Sequence, residues 1–135
     1  MDDYDFLRET FRRGYKAEPG HYPATYRSPL GGMRGADDVC DSYDHHLYTA
    51  ICKTLDTMPL ILRRYFVITT VERVVLRWNP KKQQDEHVFI TDEEVYQRIA
   101  SSIVGANWRD VEHHMKNGGE KKMRASIVFG VKQYA

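Results

Sequence analysis

The side chains best suited to chemistry in this sequence lie toward its C-terminal end. Asn107, Arg109, His113, His114, Lys116 and Asn117 fall close together, and Lys121, Lys122 and Arg124 follow at once. Amide, imidazole and guanidinium groups can hydrogen-bond to base edges, while ammonium groups neutralise phosphates. The mixture therefore reads as a DNA-binding set. Residues 107–135 hold six basic and three acidic side chains. Two of the acids, Asp110 and Glu112, sit among the candidates and repel phosphate.

Other constellations are weaker. Cys40, His45, His46 and Cys52 lie within thirteen residues, but their spacings of five and six do not align on one helical face, and tetrahedral zinc sites want tighter pairs. The reading preferred for them is Cys52 in the core with both histidines in solvent. Asp37, Asp38, Asp41 and Asp44 are an acidic run of the kind that complements a helix N-terminus, more often than a Mg²⁺ site. His113 and His114 are adjacent and so point to different faces. There is no GxSxG and no GxGxxG, and the glycines at 31, 32 and 35 lack the Lys and Ser/Thr of a phosphate cradle. No enzyme, metal or cofactor is expected.

The candidates need elements to present them. Thr91 and Glu94 have capping-box spacing before an apolar stripe of Val95, Ile99 and Ile103, with Ile90 and Val95 as a hydrophobic staple. A second start follows at Asn107, with Trp108, Val111 and Met115 on one face. The expectation is a helix over 92–104, a turn at Gly105, Ala106 and Asn107, and a second helix over 108–117. That is a helix-turn-helix at 92–117. Ala100 allows close approach, Gly105 takes the left-handed conformation, and Ile99, Ile103, Val111 and Met115 form the seam. Helix pairs of this kind also occur in all-α proteins that touch no DNA.

Upstream, a short helix is expected over 2–13, with Asp2, Asp3 and Asp5 at its start and Gly14 as its stop. The stretch over 15–36 is rich in Pro, Gly and Tyr and reads as an ordered extended arm, with a mobile loop as the alternative. Residues 37–58 carry a clear helical period through Val39, Tyr43, Leu47, Ile51 and Leu55, ended near Pro59. Residues 60–78 favour strand by propensity, yet no turn signal breaks them, so one long helix is expected. A polar loop over 79–87 and a closing helix over 120–135 complete the reading. The fold class is mainly α, a helical bundle with an extended N-terminal arm and a C-terminal helix-turn-helix, divided into residues 1–36 and 37–135.

The chain has 135 residues, 41% hydrophobic and 29% charged, too apolar for a disordered tail. Its formal charge of +1 conceals a division. Residues 1–60 hold seven basic and ten acidic side chains, and residues 61–135 hold thirteen and nine, a balance of −3 followed by +4. No apolar run approaches membrane-spanning length, and the acidic start is unlike a signal peptide. A cytoplasmic protein with reduced thiols and no membrane partner is expected.

The order of parts resembles the phage antitermination protein Q type of late-gene regulator. The matching stretches are Tyr22-Pro23, Asp37-Asp38, Leu62-Arg63-Arg64-Tyr65-Phe66-Val67, and the run from Ile99-Ala100 through Val111. The absence of a CxxC pair sets aside the zinc-bearing members. The resemblance implies a C-terminal helix-turn-helix similar to promoter-recognition region 4 of sigma factors, double-stranded DNA and host RNA polymerase as partners, and transcription antitermination in a bacterial host. The alternative is a small phage protein that binds and inhibits a host protein or nucleoprotein. Tyr15, Tyr22 and Tyr26, in the tyrosine-rich first third, are the expected protein-contact residues.

Overall fold

The elements are set by short capping signals and by which stripes can be buried. The computed structural model describes residues 2–17 and 44–134. In chain order they form α1 (Asp3–Ala17), α2 (His45–Thr57), α3 (Leu60–Val71), β1 (Val74–Asn79), β2 (Gln84–Phe89), α4 (Asp92–Ala100), α5 (Trp108–His114), a π-helical turn (Met115–Gly119) and α6 (Glu120–Tyr134). The protein is mainly α, with one small two-stranded sheet. Residues 15–17, expected to begin the extended Tyr/Pro/Gly arm, are instead the last residues of α1; the rest of the arm, Tyr22, Tyr26, Cys40, the aspartates at 37, 38 and 41, and the boundary at 36/37 lie outside the described residues.

The chain divides into two units, Met1–Pro59 with Lys121–Ala135, and Leu60–Glu120. The first unit is built from α1, α2 and most of α6. Asp2 accepts a hydrogen bond from the Asp5 backbone N–H at 2.8 Å, and Asp44 caps α2 by accepting from the Leu47 N–H at 3.0 Å. Leu7, Phe11, Tyr48, Ile51, Leu55, Met123 and Ile127 form the buried stripes of the three helices. The Phe11 and Tyr48 rings stack with centroids 5.6 Å apart. Gly14 does not stop α1. It lies inside the helix, and its missing side chain makes room for the ring of Tyr48, whose Cδ1 would stand 2.2 Å from a Cβ placed there. On α6, Gly130 is pressed in the same way against Thr54.

The second unit corrects the expectation of one helix over 60–78. Helix α3 ends at Val71, and β1 begins three residues later. Its first part stays helical although Val67, Ile68, Thr69, Thr70 and Val71 are all β-branched. Leu62, Phe66 and Thr70 recur at every fourth position and are buried, and the Thr69 hydroxyl donates to the Tyr65 carbonyl at 2.7 Å. Beyond Val71 that stripe has no continuation, and strand propensity takes over.

The expected polar loop over 79–87 is likewise a hairpin for most of its length. Strands β1 and β2 pair antiparallel, from Val74 opposite Phe89 to Asn79 opposite Gln84. The Asn79 side chain accepts from the Lys81 N–H at 2.9 Å, an Asx turn that starts the reversal, and Gln83 completes it at a φ of 52°. At the base, Ile90 N–H donates to the Arg73 carbonyl at 2.9 Å.

Candidate nucleic-acid interface

Helix α4 begins where its sequence signals place it. Thr91 caps it by accepting from the Glu94 N–H at 3.3 Å, with Asp92, Glu93 and Glu94 in the first turn. Ile90 and Val95, the two staple positions, are both buried. The Glu94 carboxylate is taken by arginines instead of closing a capping box. It accepts from the Arg77 guanidinium of β1, and from Arg98 at 3.1 Å. The hydrogen bond from Arg77 is the main reason its carboxyl group titrates below the ordinary value, against an opposing effect of burial; the charges of Arg77 and Arg98 add to it. Tyr96 stacks with Tyr65 of α3, centroids 6.4 Å apart, and burial is the leading cause of its raised pKa.

The connection to α5 is longer than expected. Helix α4 stops at Ala100 instead of 104, and residues 101–107 form a series of turns with hydrogen bonds from Ser102 N–H to Ile99 O and from Ile103 N–H to Ala100 O. Two serines, Ser101 and Ser102, turn their hydroxyls back on the Arg98 carbonyl, which helps end the helix there. Gly105 is left-handed, at a φ of 80°, at the far end of this connection. Asn107 caps α5 by accepting from the Arg109 N–H at 2.9 Å. Helix α5 is seven residues long and gives way at Met115 to the π-helical turn, where Asn117 and Gly118 leave helical geometry. The expected helix over 108–117 is therefore shorter and broken at its end.

The seam is largely as expected. Ile99, Ala100, Val111 and Met115 are buried and Ile103 is half-buried. Helices α4 and α5 pack on each other through this side. A shallow depression of about 580 Å³ opens where they meet the connection, lined by Gln97, Ala100, Ser101, Ala106, Asn107, Trp108 and Arg109.

Every candidate DNA-contact residue is exposed, and several of them have local attachments. Asn107 spends its side-chain oxygen on the cap. Arg109 lies 5.5 Å from the Trp108 ring centroid, and Lys116 pairs with Glu112 at 3.3 Å. The Asn117 amide donates to the His113 carbonyl at 2.8 Å. Asn107, Arg109, His113, His114, Lys116 and Asn117 are thus gathered on α5 and its immediate continuation. Lys121, Lys122 and Arg124 belong to the other unit, where the Arg124 guanidinium lies 4.7 Å over the Tyr4 ring. Tyr15 is half-buried, its ring 6.0 Å from that of Phe11. Cys52 is buried on α2, while His45 and His46 are exposed.

Sequence reasoning missed Arg73 and Arg77. Arg73 donates to the Ile90 carbonyl at 2.9 Å and to Asp92 at 2.6 Å, so it ties the base of the hairpin to the start of α4. The alternation of Val74, Leu76 and Trp78 with Val75 and Arg77 was the available signal. No protein-family model, curated protein or solved structure matches this chain. Among the described residues, no helix is long and apolar enough to cross a membrane.

Proposed function

We propose that the protein is a sequence-specific DNA-binding regulator that reads duplex DNA with α5. The observation that carries this reading is the division of α5 and the start of the π-helical turn after it into two sides. Val111 and Met115 are buried on the side toward α4, while Arg109, His113, His114 and Lys116 stand in solvent. A helix held from behind and offering guanidinium, imidazole and ammonium groups fits the major groove in width and in donor chemistry. Asp110 and Glu112 reduce the net charge of this element, which favours base contacts over indiscriminate phosphate binding. Engagement of host RNA polymerase, and a role in late-gene antitermination in a phage-infected bacterium, rest on the resemblance to the antitermination protein Q type.

The test is a binding selection on random duplex DNA at two salt concentrations, followed by Arg109→Ala and Lys116→Ala. An enriched sequence is expected. Loss of Arg109 costs about 1–3 kcal/mol on that sequence if it makes a bidentate base contact. Loss of Lys116 weakens all sequences alike and flattens the salt dependence by about one phosphate contact. No enriched sequence, with far-UV circular dichroism intact, refutes the reading in favour of a protein-binding inhibitor.

A further inference from the structure

Helix α6 turns a continuous basic side to solvent. Met123, Ile127, Gly130 and Val131 are buried and fix its inner stripe. At about 100° per residue, Lys121, Ala125, Phe129 and Lys132 fall opposite that stripe, with Lys122 beside Phe129. All five are exposed. No acidic residue follows Glu120 in this helix, and Glu120 itself lies on the inner side, half-buried. Among the described residues, none of Lys121, Lys122 and Lys132 is in an ion pair. The acidic start of α1 approaches α6 through Tyr4 and Arg124, about 140° round the helix from Phe129. Phe129 stands in the middle of the basic side, 65% exposed. A lone exposed aromatic is ordinary. Here the ring is flanked along the helix by unneutralised lysines, which gives it a specific chemistry.

We infer that this side of α6 binds single-stranded nucleic acid, one base stacking on Phe129 while Lys121, Lys122 and Lys132 hold the phosphates. The make-up of the face selects that occupant. A partner helix is gripped by several apolar anchors at helical spacing, and an anionic bilayer by a broad apolar stripe. This face offers one large apolar side chain. Cations without acids suit a polyanion, and an uncovered aromatic ring suits a flat apolar surface. A single strand supplies both in alternation, whereas a duplex covers both faces of its inner bases. The dimensions agree. Phe129 lies one turn before Lys132 and two turns after Lys121 and Lys122, so the cations span about 16 Å along the axis with the ring between them. Phosphates on both sides of a stacked base are then neutralised together. The ring and the lysines meet base and phosphate, not sugar, so DNA and RNA strands are expected to bind alike. Lys121 and Lys122, grouped with the duplex-contact set by their place in the sequence, here belong to a separate surface. The inference does not rest on α5.

Fluorescence anisotropy of labelled oligothymidylate and oligouridylate with the full chain tests it. Both strands are expected to bind, with a logarithmic salt slope of about −2 from three lysines. Phe129→Ala should weaken both at least about fivefold, and Phe129→Trp should keep the affinity, with far-UV circular dichroism unaltered in each. An abasic strand of equal length should bind the wild-type chain as weakly as a natural strand binds Phe129→Ala, and should be indifferent to that substitution. Lys121→Gln/Lys122→Gln should reduce the slope to about −0.7, from the one lysine that remains. Arg109→Ala should leave strand binding unchanged, and Phe129→Ala should leave duplex selection unchanged, so the two surfaces are tested apart. Absence of binding to either strand overturns the inference. Equal binding of abasic and natural strands does the same, and so does loss of strand binding in Arg109→Ala, which places the strand on α5. Displacement by polyglutamate that Phe129→Ala leaves unaffected also overturns it, because the face then takes any acidic polymer.

Discussion

Gly14→Ala sets two opposing effects against each other with known signs. In an exposed helix interior, replacing Gly by Ala stabilises by about 0.5–1 kcal/mol, because glycine loses more backbone freedom on folding. At position 14 the added methyl carbon would lie 2.2 Å from Cδ1, 2.6 Å from Cγ and 2.7 Å from Cε1 of Tyr48. The obstacle is the root of an aromatic ring, not the end of a flexible chain. Tyr48 is fully buried, and its ring is stacked on Phe11, so it has no room to swing aside. Helix α1 must then move off α2, and overpacking of this kind costs about 1–3 kcal/mol. The net expectation is a destabilisation of about 1–2 kcal/mol, against the direction of helix propensity.

Urea unfolding followed by far-UV circular dichroism measures it, since both tryptophans, Trp78 and Trp108, lie in the other unit. Tyr48→Leu in the same chain removes the ring and is expected to recover part of the loss, which a double-mutant cycle isolates. A Gly14→Ala protein that is more stable than wild type refutes the close approach of α1 and α2.

Two further outcomes follow from the second unit. The Glu94 carboxyl is held below its ordinary value chiefly by Arg77, so its contribution to stability is in place above the ordinary carboxyl value and is lost as pH falls through the lowered one. Glu94→Gln should therefore destabilise the protein at neutral pH and give a shallower acid limb; parallel pH–stability curves would refute this. Asn107→Ala removes the α5 cap and should cost about 1 kcal/mol in urea unfolding, with no cost indicating that α5 is held by packing alone.

What the sequence disclosed, and what it concealed, follows from the range of the deciding interaction. Caps are local, and Thr91, Asn107 and the left-handed Gly105 could be read directly. So could the buried seam of Ile99, Val111 and Met115, because helical spacing fixes which residues share a side. The failures share another cause. Residues 67–75 are rich in β-branched side chains, yet Val67 and Ile68 are helical and Val74 and Val75 are strand. The difference lies in whether the turn is buried and in the presence of β2 across from it, neither of which is a local property. Gly14 was misread for a similar reason, since its role is defined by Tyr48, more than thirty positions away in sequence. The length of α4 was misjudged because Ser101 and Ser102 compete for the Arg98 carbonyl, a local device that an apolar stripe running on to Ile103 obscured.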